Sequence, residues 1–183
     1  MFGQISETVI LHRDVDAITV PTGESTTLAA GSLAVINQAL GGSYTVTLKG
    51  NMFRIDGQQA DALGKDLPVW PQVPEGAPRE EVEAAIQATL RTVYDPEIPI
   101  NIVDLGLVYR CDVVPGTQGL VVDLDLTLTA PGCGMGPVLV HDVRSRLERL
   151  AGVEAAQVHL VLDPPWSRDK MSEAAQLETG MYY

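Results

Sequence analysis

Residues 120–137 read LVVDLDLTLTAPGCGMGP, and this stretch decides the fold of the second half of the chain. Leu120–Thr129 alternates apolar and polar side chains, which is typical of a strand with one buried face. A glycine-rich loop follows, and Pro137 suits the first turn of a helix, where its missing N–H costs nothing. The apolar spacing after Pro137 predicts a helix to Leu150, with Gly152 placed to terminate it.

The segments on either side of this stretch complete a sheet. Leu107–Val114 alternates like a strand, and the turn residues 115–119 join it to the next strand as a hairpin. Val158–Leu162 predicts a third strand, which a strand–helix–strand crossover makes parallel to its neighbour. Glu80–Val93 has the apolar period of a helix, with acids in its first turn. The expected fold class is α/β (α+β), a two-layer domain with a mixed three-stranded sheet and helices on one face.

A proline-rich segment divides the chain. Residues 67–79 contain four prolines, which remove backbone donors and fix φ, so this segment is expected to be a stiff, extended linker. The expected domains are therefore a small β-rich domain at 1–66 and an α/β domain at 80–183.

Turn and strand patterns support the β-rich assignment. Residues 44–49 alternate, Gly50-Asn51 tolerates positive φ, and residues 52–55 return as the partner strand. Residues 17–20 and 26–28 flank a second turn. Residues 32–40 suit either a short helix or a strand.

Composition bounds the function. The chain has 183 residues, a formal net charge of −12 and 45% hydrophobic residues, a normal globular balance. Such an acidic surface repels phosphate backbones, so neither nucleic acid nor an anionic membrane is an expected partner. No secretory signal and no run of about 18 apolar residues is present, which predicts a cytoplasmic protein. Cys111 and Cys133 match neither a disulfide framework nor a C-x-x-C motif, so both are expected to be free thiols.

Cys133 is the leading candidate for chemistry. It lies in a glycine-rich loop between a strand and a helix, where free N–H groups and the helix dipole stabilise a thiolate. The alternative interpretation is a turn that needs glycine only for its conformation, with an inert cysteine. Asp95 and Glu97 likewise suit ordinary turn chemistry. If their loop folds back beside Cys133, their carboxylates raise the thiol pKa, and the site then suits iron better than a bare nucleophile.

The remaining chemistry-bearing residues favour structural roles. Cys111 is in step with the apolar side of its strand, which predicts a packed core cysteine. The histidines, His12, His141 and His159, lie off the apolar faces and are expected to contribute ordinary surface polarity.

Four motifs in order across residues 80–180 resemble the PaaD-like metal–sulfur cluster biosynthetic family. They are Tyr94–Pro99, Asp104–Val108, Thr127–Cys133, and Pro165-Trp166 with Met171–Glu173. With its β-rich extension and proline-rich segment, the chain is similar to the SufT-type branch of that family.

The resemblance implies an auxiliary factor, not an enzyme, in assembling iron–sulfur clusters or transferring them to client proteins. It implies that Cys133 is the ligand of a transient iron–sulfur cluster or iron, that Asp95, Glu97 and Thr129 line the pocket, and that Trp166 closes the pocket or packs as structure. The implied partners are iron–sulfur client proteins and the assembly machinery.

One cysteine cannot hold a cluster that normally takes four ligands. A second subunit, a client or a small thiol would complete the site, so a homodimer is one expectation. Two other functions stay open. The chain could be an adaptor that docks clients to the machinery without binding metal, or a thiol-dependent enzyme, for which no histidine is obviously placed as a base.

Overall fold

The computed structural model describes residues 6–95 and 97–180, and the chain divides into two compact units, residues 1–69 and 70–183. The division falls inside the proline-rich segment. Val69 is 96% exposed, whereas Val73 is buried in the core of the second unit. The segment therefore does not belong to one side alone, and its role as a linker stays a prediction.

The first unit is a six-stranded antiparallel sheet with the order β1-β4-β5-β6-β2-β3. The β-rich expectation is confirmed, and the ambiguous residues 32–40 form a strand. The strands are β1 (Glu7–Ile10), β2 (Val15–Val20), β3 (Ser25–Leu28), β4 (Leu33–Leu40), β5 (Ser43–Leu48) and β6 (Asn51–Asp56), followed by a 3-10 helix at Gly57–Leu63.

The turn between β5 and β6 differs from the sequence prediction by one residue. Leu48 pairs with Asn51, so the two turn residues are Lys49 and Gly50, with φ values of 50° and 82°. A two-residue hairpin of this type needs positive φ at both positions. The predicted Gly50-Asn51 turn is wrong because strand register, rather than residue preference, places Lys49 in the left-handed region.

The second unit contains a three-stranded sheet in the order β7-β8-β9. β7 and β8 are antiparallel, and β8 and β9 are parallel, which confirms the mixed sheet. The elements are α1 (Arg79–Leu90), β7 (Val108–Pro115), β8 (Leu120–Leu126), α2 (Gly136–Leu147), β9 (Val153–Leu160), a 3-10 helix (Arg168–Lys170) and α3 (Glu173–Thr179).

The first helix of this unit ends earlier than the sequence predicts. α1 stops at Leu90 instead of continuing to Val93. The N–H and the hydroxyl of Thr92 both donate to the carbonyl of Thr89, at 2.9 and 2.6 Å. Such local bonding competes with helix continuation, so the helix ends three residues before Val93.

β8 and β9 also have different ends. β8 stops at Leu126 instead of Thr129, because the N–H of Thr127 donates to the carbonyl of Leu107, outside the paired strands. β9 runs from Val153 to Leu160, so it starts earlier than predicted and excludes Leu162. α2 likewise covers Gly136–Leu147 instead of 137–150.

The apolar face of the central strand organises the core. Leu124 and Leu126 of β8 are fully buried, and they belong to one cluster with Ile86 of α1 and Val143 of α2. Burying each such side chain contributes roughly 1.5–3 kcal/mol. This packing fixes the carboxyl end of β8, from which the cysteine loop departs. No helix among the described residues is long and apolar enough to cross a membrane.

Candidate functional site

The loop that carries Cys133 begins with a tight turn. The N–H of Cys133 donates to the carbonyl of Ala130 at 3.2 Å, with Pro131 and Gly132 between them, and Gly132 has φ +84°. Proline followed by a positive-φ glycine is the pattern of a type II turn. The carbonyl of Cys133 then accepts from the N–H of Gly136, the first residue of α2. The turn leaves the Cys133 side chain half-buried at the edge of the core.

A second turn, formed around Asp95, approaches this loop. One carboxylate oxygen of Asp95 accepts from the N–H groups of Glu97 and Ile98, both at 2.8 Å. This bonding of a side chain to the backbone two and three residues on is a common way for aspartate to stabilise a turn. Asp95 is 4% exposed, whereas Glu97 is exposed. The buried aspartate therefore holds the turn, and the glutamate carboxylate is left available.

The two turns bring Cys133 and Glu97 together. The Cys133 Sγ lies 3.8 Å from Oε1 of Glu97, although the residues are 36 positions apart in sequence. The pKa of the Cys133 thiol is raised, first by burial and then by the negative charges of Glu97 and Asp95. A hydrogen bond from the Met135 backbone N–H opposes this rise. Burial and the acids together therefore outweigh the start of the helix, and they favour a protonated thiol.

Sequence reasoning did not identify the backbone N–H of Met135 as a hydrogen-bond donor to the Cys133 sulfur. Met135 immediately precedes α2, where backbone N–H groups lack partners within the helix. The glycine-rich stretch before Pro137 signalled such donors in general, but only the folded loop shows which N–H meets the sulfur.

Thr129 lies in the same loop, four residues before Cys133, and is half-buried. Among the described residues, no hydrogen bond involves its hydroxyl. That Thr129 lines the pocket therefore stays a prediction.

The site offers few metal donors. Within residues 6–95 and 97–180, no group of three or more histidine, cysteine, aspartate or glutamate side chains could hold a metal ion. Cys133 and Glu97 supply one thiolate and one carboxylate, while an oxygen of Asp95 is engaged by backbone N–H groups. Iron–sulfur clusters are normally held by four thiolate ligands, and this site supplies one cysteine, Cys133.

The other cysteine and the histidines occupy ordinary positions. Cys111 packs against the core, as predicted, and burial raises its thiol pKa. His159 Nε2 lies 3.0 Å from an oxygen of Asp123, and His12 and His141 are exposed. None of these contacts involves Cys133.

The last motif packs as structure. The Trp166 indole N–H donates to the carbonyl of Leu105 at 2.7 Å, and Met171 is buried in the core. Ser172 caps α3, because its hydroxyl accepts from the N–H of Ala175. These contacts fix the C-terminal segment against the domain. Structural packing is one of the two roles expected for Trp166.

Residues 83–160, including the cysteine loop, match a family model described as an iron–sulfur cluster assembly protein. An Fe-S protein maturation auxiliary factor from Porphyromonas gingivalis is 46% identical over 100 residues, which cover 55% of this chain and 92% of that protein. The chain belongs to the iron–sulfur cluster assembly protein family. The resemblance seen in the motifs is therefore confirmed.

Further relatives of this iron–sulfur cluster assembly family member carry related names. The Fe-S protein maturation auxiliary factor SufT of Staphylococcus aureus is 40% identical over 89 residues, covering 49% of this chain and 98% of that protein. An iron–sulfur cluster carrier protein from Synechocystis is 31% identical over 81 residues, covering 44% of this chain and only 22% of the carrier. The full-length relatives are named as auxiliary factors, which agrees with the expectation of a non-enzymatic role.

Proposed function

We propose that this protein takes up an iron–sulfur cluster, or iron, and passes it to client proteins, with Cys133 as a transient thiolate ligand. The observation that carries this proposal is the 3.8 Å contact between the Cys133 sulfur and the Glu97 carboxylate. The names of the relatives, which include maturation factors and a cluster carrier, support the same role.

The pair provides a route for the thiol proton. When iron binds Cys133, an Fe–S bond forms and the S–H bond breaks, because the thiolate is the metal ligand. Glu97 is placed to accept that proton, and the positive charge of iron then replaces the proton beside the acids. When client thiolates take the cargo, the proton returns from Glu97 to the sulfur.

The raised thiol pKa suits a transient ligand. Without a bound cation, burial and the acids hold the sulfur as a thiol, which is less prone to oxidation than a thiolate. The same acids favour reprotonation on release. A carrier needs both properties, whereas a permanent metal site favours a ligand that is already deprotonated.

The remaining ligands come from outside one chain, since Cys133 supplies one thiolate and Glu97 holds the proton that the thiol releases. A second copy, a client or a small thiol completes the set. In this proposal Asp95 positions Glu97 through its turn, and Thr129 lines the pocket. The partners are the assembly machinery and iron–sulfur clients rather than nucleic acid or membranes, consistent with a net charge of −12. The proposed compartment is the cytoplasm, where both cysteines stay reduced.

An adaptor without metal is the second candidate. The absence of a three-donor cluster among the described residues favours it. An adaptor would bind clients through its surface, and loss of Cys133 would leave that binding intact.

The deciding experiment compares Cys133→Ala with Cys111→Ala, because the chain offers a matched second thiol. Each protein is purified anaerobically, incubated with ferrous iron and sulfide, and desalted. We expect iron, sulfide and a visible charge-transfer band in the wild type and in Cys111→Ala, and their loss in Cys133→Ala. Colourless, iron-free wild type that still binds an iron–sulfur client would overturn the carrier role and support the adaptor.

A further inference from the structure

One end of β9 is an open sheet edge beside the cysteine loop. β9 is the outer strand of the sheet, and its neighbour on one side is β8. The N–H of Val161 donates to Leu126 of β8. Since the backbone groups of alternate residues in a strand point to opposite sides, those of residues 158 and 160 point away from the sheet. The Val161 bond continues this pairing one residue beyond the end of β9, and Leu162 follows it.

Side chains bond to other parts of the two sheet edges. The N–H of Ala156, earlier in β9, donates to a carboxylate oxygen of Glu148 at 3.3 Å. On the opposite edge, Arg79 donates to the carbonyl of Val113 at 2.6 Å, and β7 ends at Pro115, which has no N–H. The stretch 158–162 has no such side-chain bond to its outward backbone groups in the described part of the chain, and we call it the β9 edge.

The β9 edge is complementary to itself. Leu160 and Leu162 are 42% and 51% exposed. An antiparallel second copy related by a twofold axis at Leu160 places Leu160 opposite Leu160 and Val158 opposite Leu162. On the face that carries Leu160, each side chain of the edge thereby meets an apolar side chain, whereas on the other face Val161 lies opposite His159. The same patch serves both copies, as a twofold interface requires.

This axis lies next to the cysteine loop. A Cβ built on Gly136, the first residue of α2, would lie 3.1 Å from a methyl carbon of Leu160. Gly136 donates to the carbonyl of Cys133. In an antiparallel pair centred on Leu160, the carboxyl ends of both β9 strands meet at the axis, so both cysteine loops are brought to the centre of the pair.

We infer that a second copy of this chain docks on the β9 edge and contributes its own Cys133 to a shared site. The inference rests on the proposed function for the use of that site, and it names the source of a second thiolate ligand. Each copy supplies one Cys133 thiolate, so the pair brings two of the four ligands that a cluster normally takes. Client or small-molecule thiols supply the other two, and each Glu97 remains the acceptor for the proton of its own Cys133.

The contact is small and joins two chains of net charge −12, so the cargo-free dimer is weak. Five residues per copy are far fewer than the roughly 20–30 residues per side of a standard protein–protein interface. Salt screens the repulsion between the copies, so we expect more dimer at high salt than at low salt.

The first test measures association by sedimentation of cargo-free protein, without iron or sulfide. We expect Leu160→Lys to raise the dimer dissociation constant at least about tenfold. Val114→Lys is the matched control, because Val114 is exposed on β7, the opposite edge strand. We expect a mixture of Leu160→Lys and Leu160→Glu to associate more strongly than either alone, since the axis sets these side chains opposite each other.

The second test crosslinks the cysteines. In a Cys111→Ser background, a short bis-maleimide should join Cys133 of two copies, and Leu160→Lys should reduce the yield. Wild-type protein that stays monomeric up to about 1 mM and gives no Cys133 crosslink overturns the inference.

The carrier role and the dimer through the β9 edge can be overturned by different results. Iron bound through Cys133 by a strictly monomeric protein overturns the dimer and leaves the carrier role. A dimer that Leu160→Lys disrupts, but that takes up no iron, supports the β9 edge as an interface and overturns both the carrier role and the shared metal site.

Discussion

At the scale of single residues, burial is the main cause of the raised pKa of Cys133, and the nearby acids add to a rise that the backbone before the helix opposes. Burial, Glu97 and Asp95 raise its pKa, and the Met135 N–H lowers it less. The thiol therefore becomes a good ligand only when a cation approaches. Glu97 has the strongest position for tuning this balance, because its carboxylate lies 3.8 Å from the sulfur.

Replacing Glu97 with glutamine should lower the pKa of Cys133, because the substitution removes a negative charge that disfavours the thiolate. The measurement is the rate of alkylation by iodoacetamide against pH, in a Cys111→Ser background so that one thiol reacts. The midpoint of the profile should move to lower pH. Iron uptake should fall in the same variant, since the proton acceptor is lost.

Glu80→Gln provides the control for this substitution. Glu80 lies in the first turn of α1 and is not among the charges that shift the Cys133 pKa. An unchanged midpoint in Glu97→Gln, matching that of Glu80→Gln, would show that the carboxylate does not act on the sulfur in solution.

At the scale of elements, the segment after β9 is held against the turn before β7. The Ser172 N–H donates to the carbonyl of Asp104 at 2.7 Å, and Trp166 donates to the next carbonyl, that of Leu105. Gly106 follows with φ +73° and faces the carbonyl of Lys170 so closely that a side chain there would collide with it. Glycine at this position serves both the turn and the approach of two backbones.

Gly106→Ala should therefore destabilise the second unit by about 2–5 kcal/mol, the sum of left-handed backbone strain and overpacking. Gly76→Ala is the matched control, because Gly76 has φ +74° with open space around its Cα. It should lose only the backbone contribution, about 1–2 kcal/mol. Urea unfolding measures both, and equal losses would show that the Lys170 contact imposes no cost.

At the scale of the whole molecule, the chain consists of two compact units with separate cores. The exposed residues nearest the division are Leu67 and Val69, at 60% and 96% exposure. Exposed apolar residues outside regular structure are favourable sites for proteolysis. This feature makes the proposed domain boundary accessible to a direct test.

Limited digestion with thermolysin, which cleaves before apolar residues, should cut first at Leu67 or Val69. The fragment beginning near residue 70 should keep its helical circular dichroism and the alkylation profile of Cys133, because its core and the cysteine loop lie within it. Mass spectrometry identifies the cut. Earlier cleavage in the 116–119 hairpin loop would contradict the proposed boundary.

Local patterns predicted most of the elements because their causes lie within a few residues. The alternation of apolar and polar residues predicted β8, and the 3.6-residue period of apolar residues predicted α1 and α2. The crossover rule predicted the parallel pairing of β9. Their ends were less predictable, since the bonds from Thr92 to Thr89 and from Thr127 to Leu107 depend on the folded backbone.

The sequence alone predicted a β-rich part followed by an α/β part. It also contained the motifs of the family and singled out Cys133 as the candidate residue. Tertiary structure alone decided which partners that cysteine meets. The Glu97 carboxylate reaches the sulfur across 36 residues, and the Arg146 guanidinium of α2 is buried against the carbonyl of Thr92 and the ring of Trp70. Such contacts join distant parts of the chain, so they depend on how whole elements pack, and no short window of sequence contains their cause.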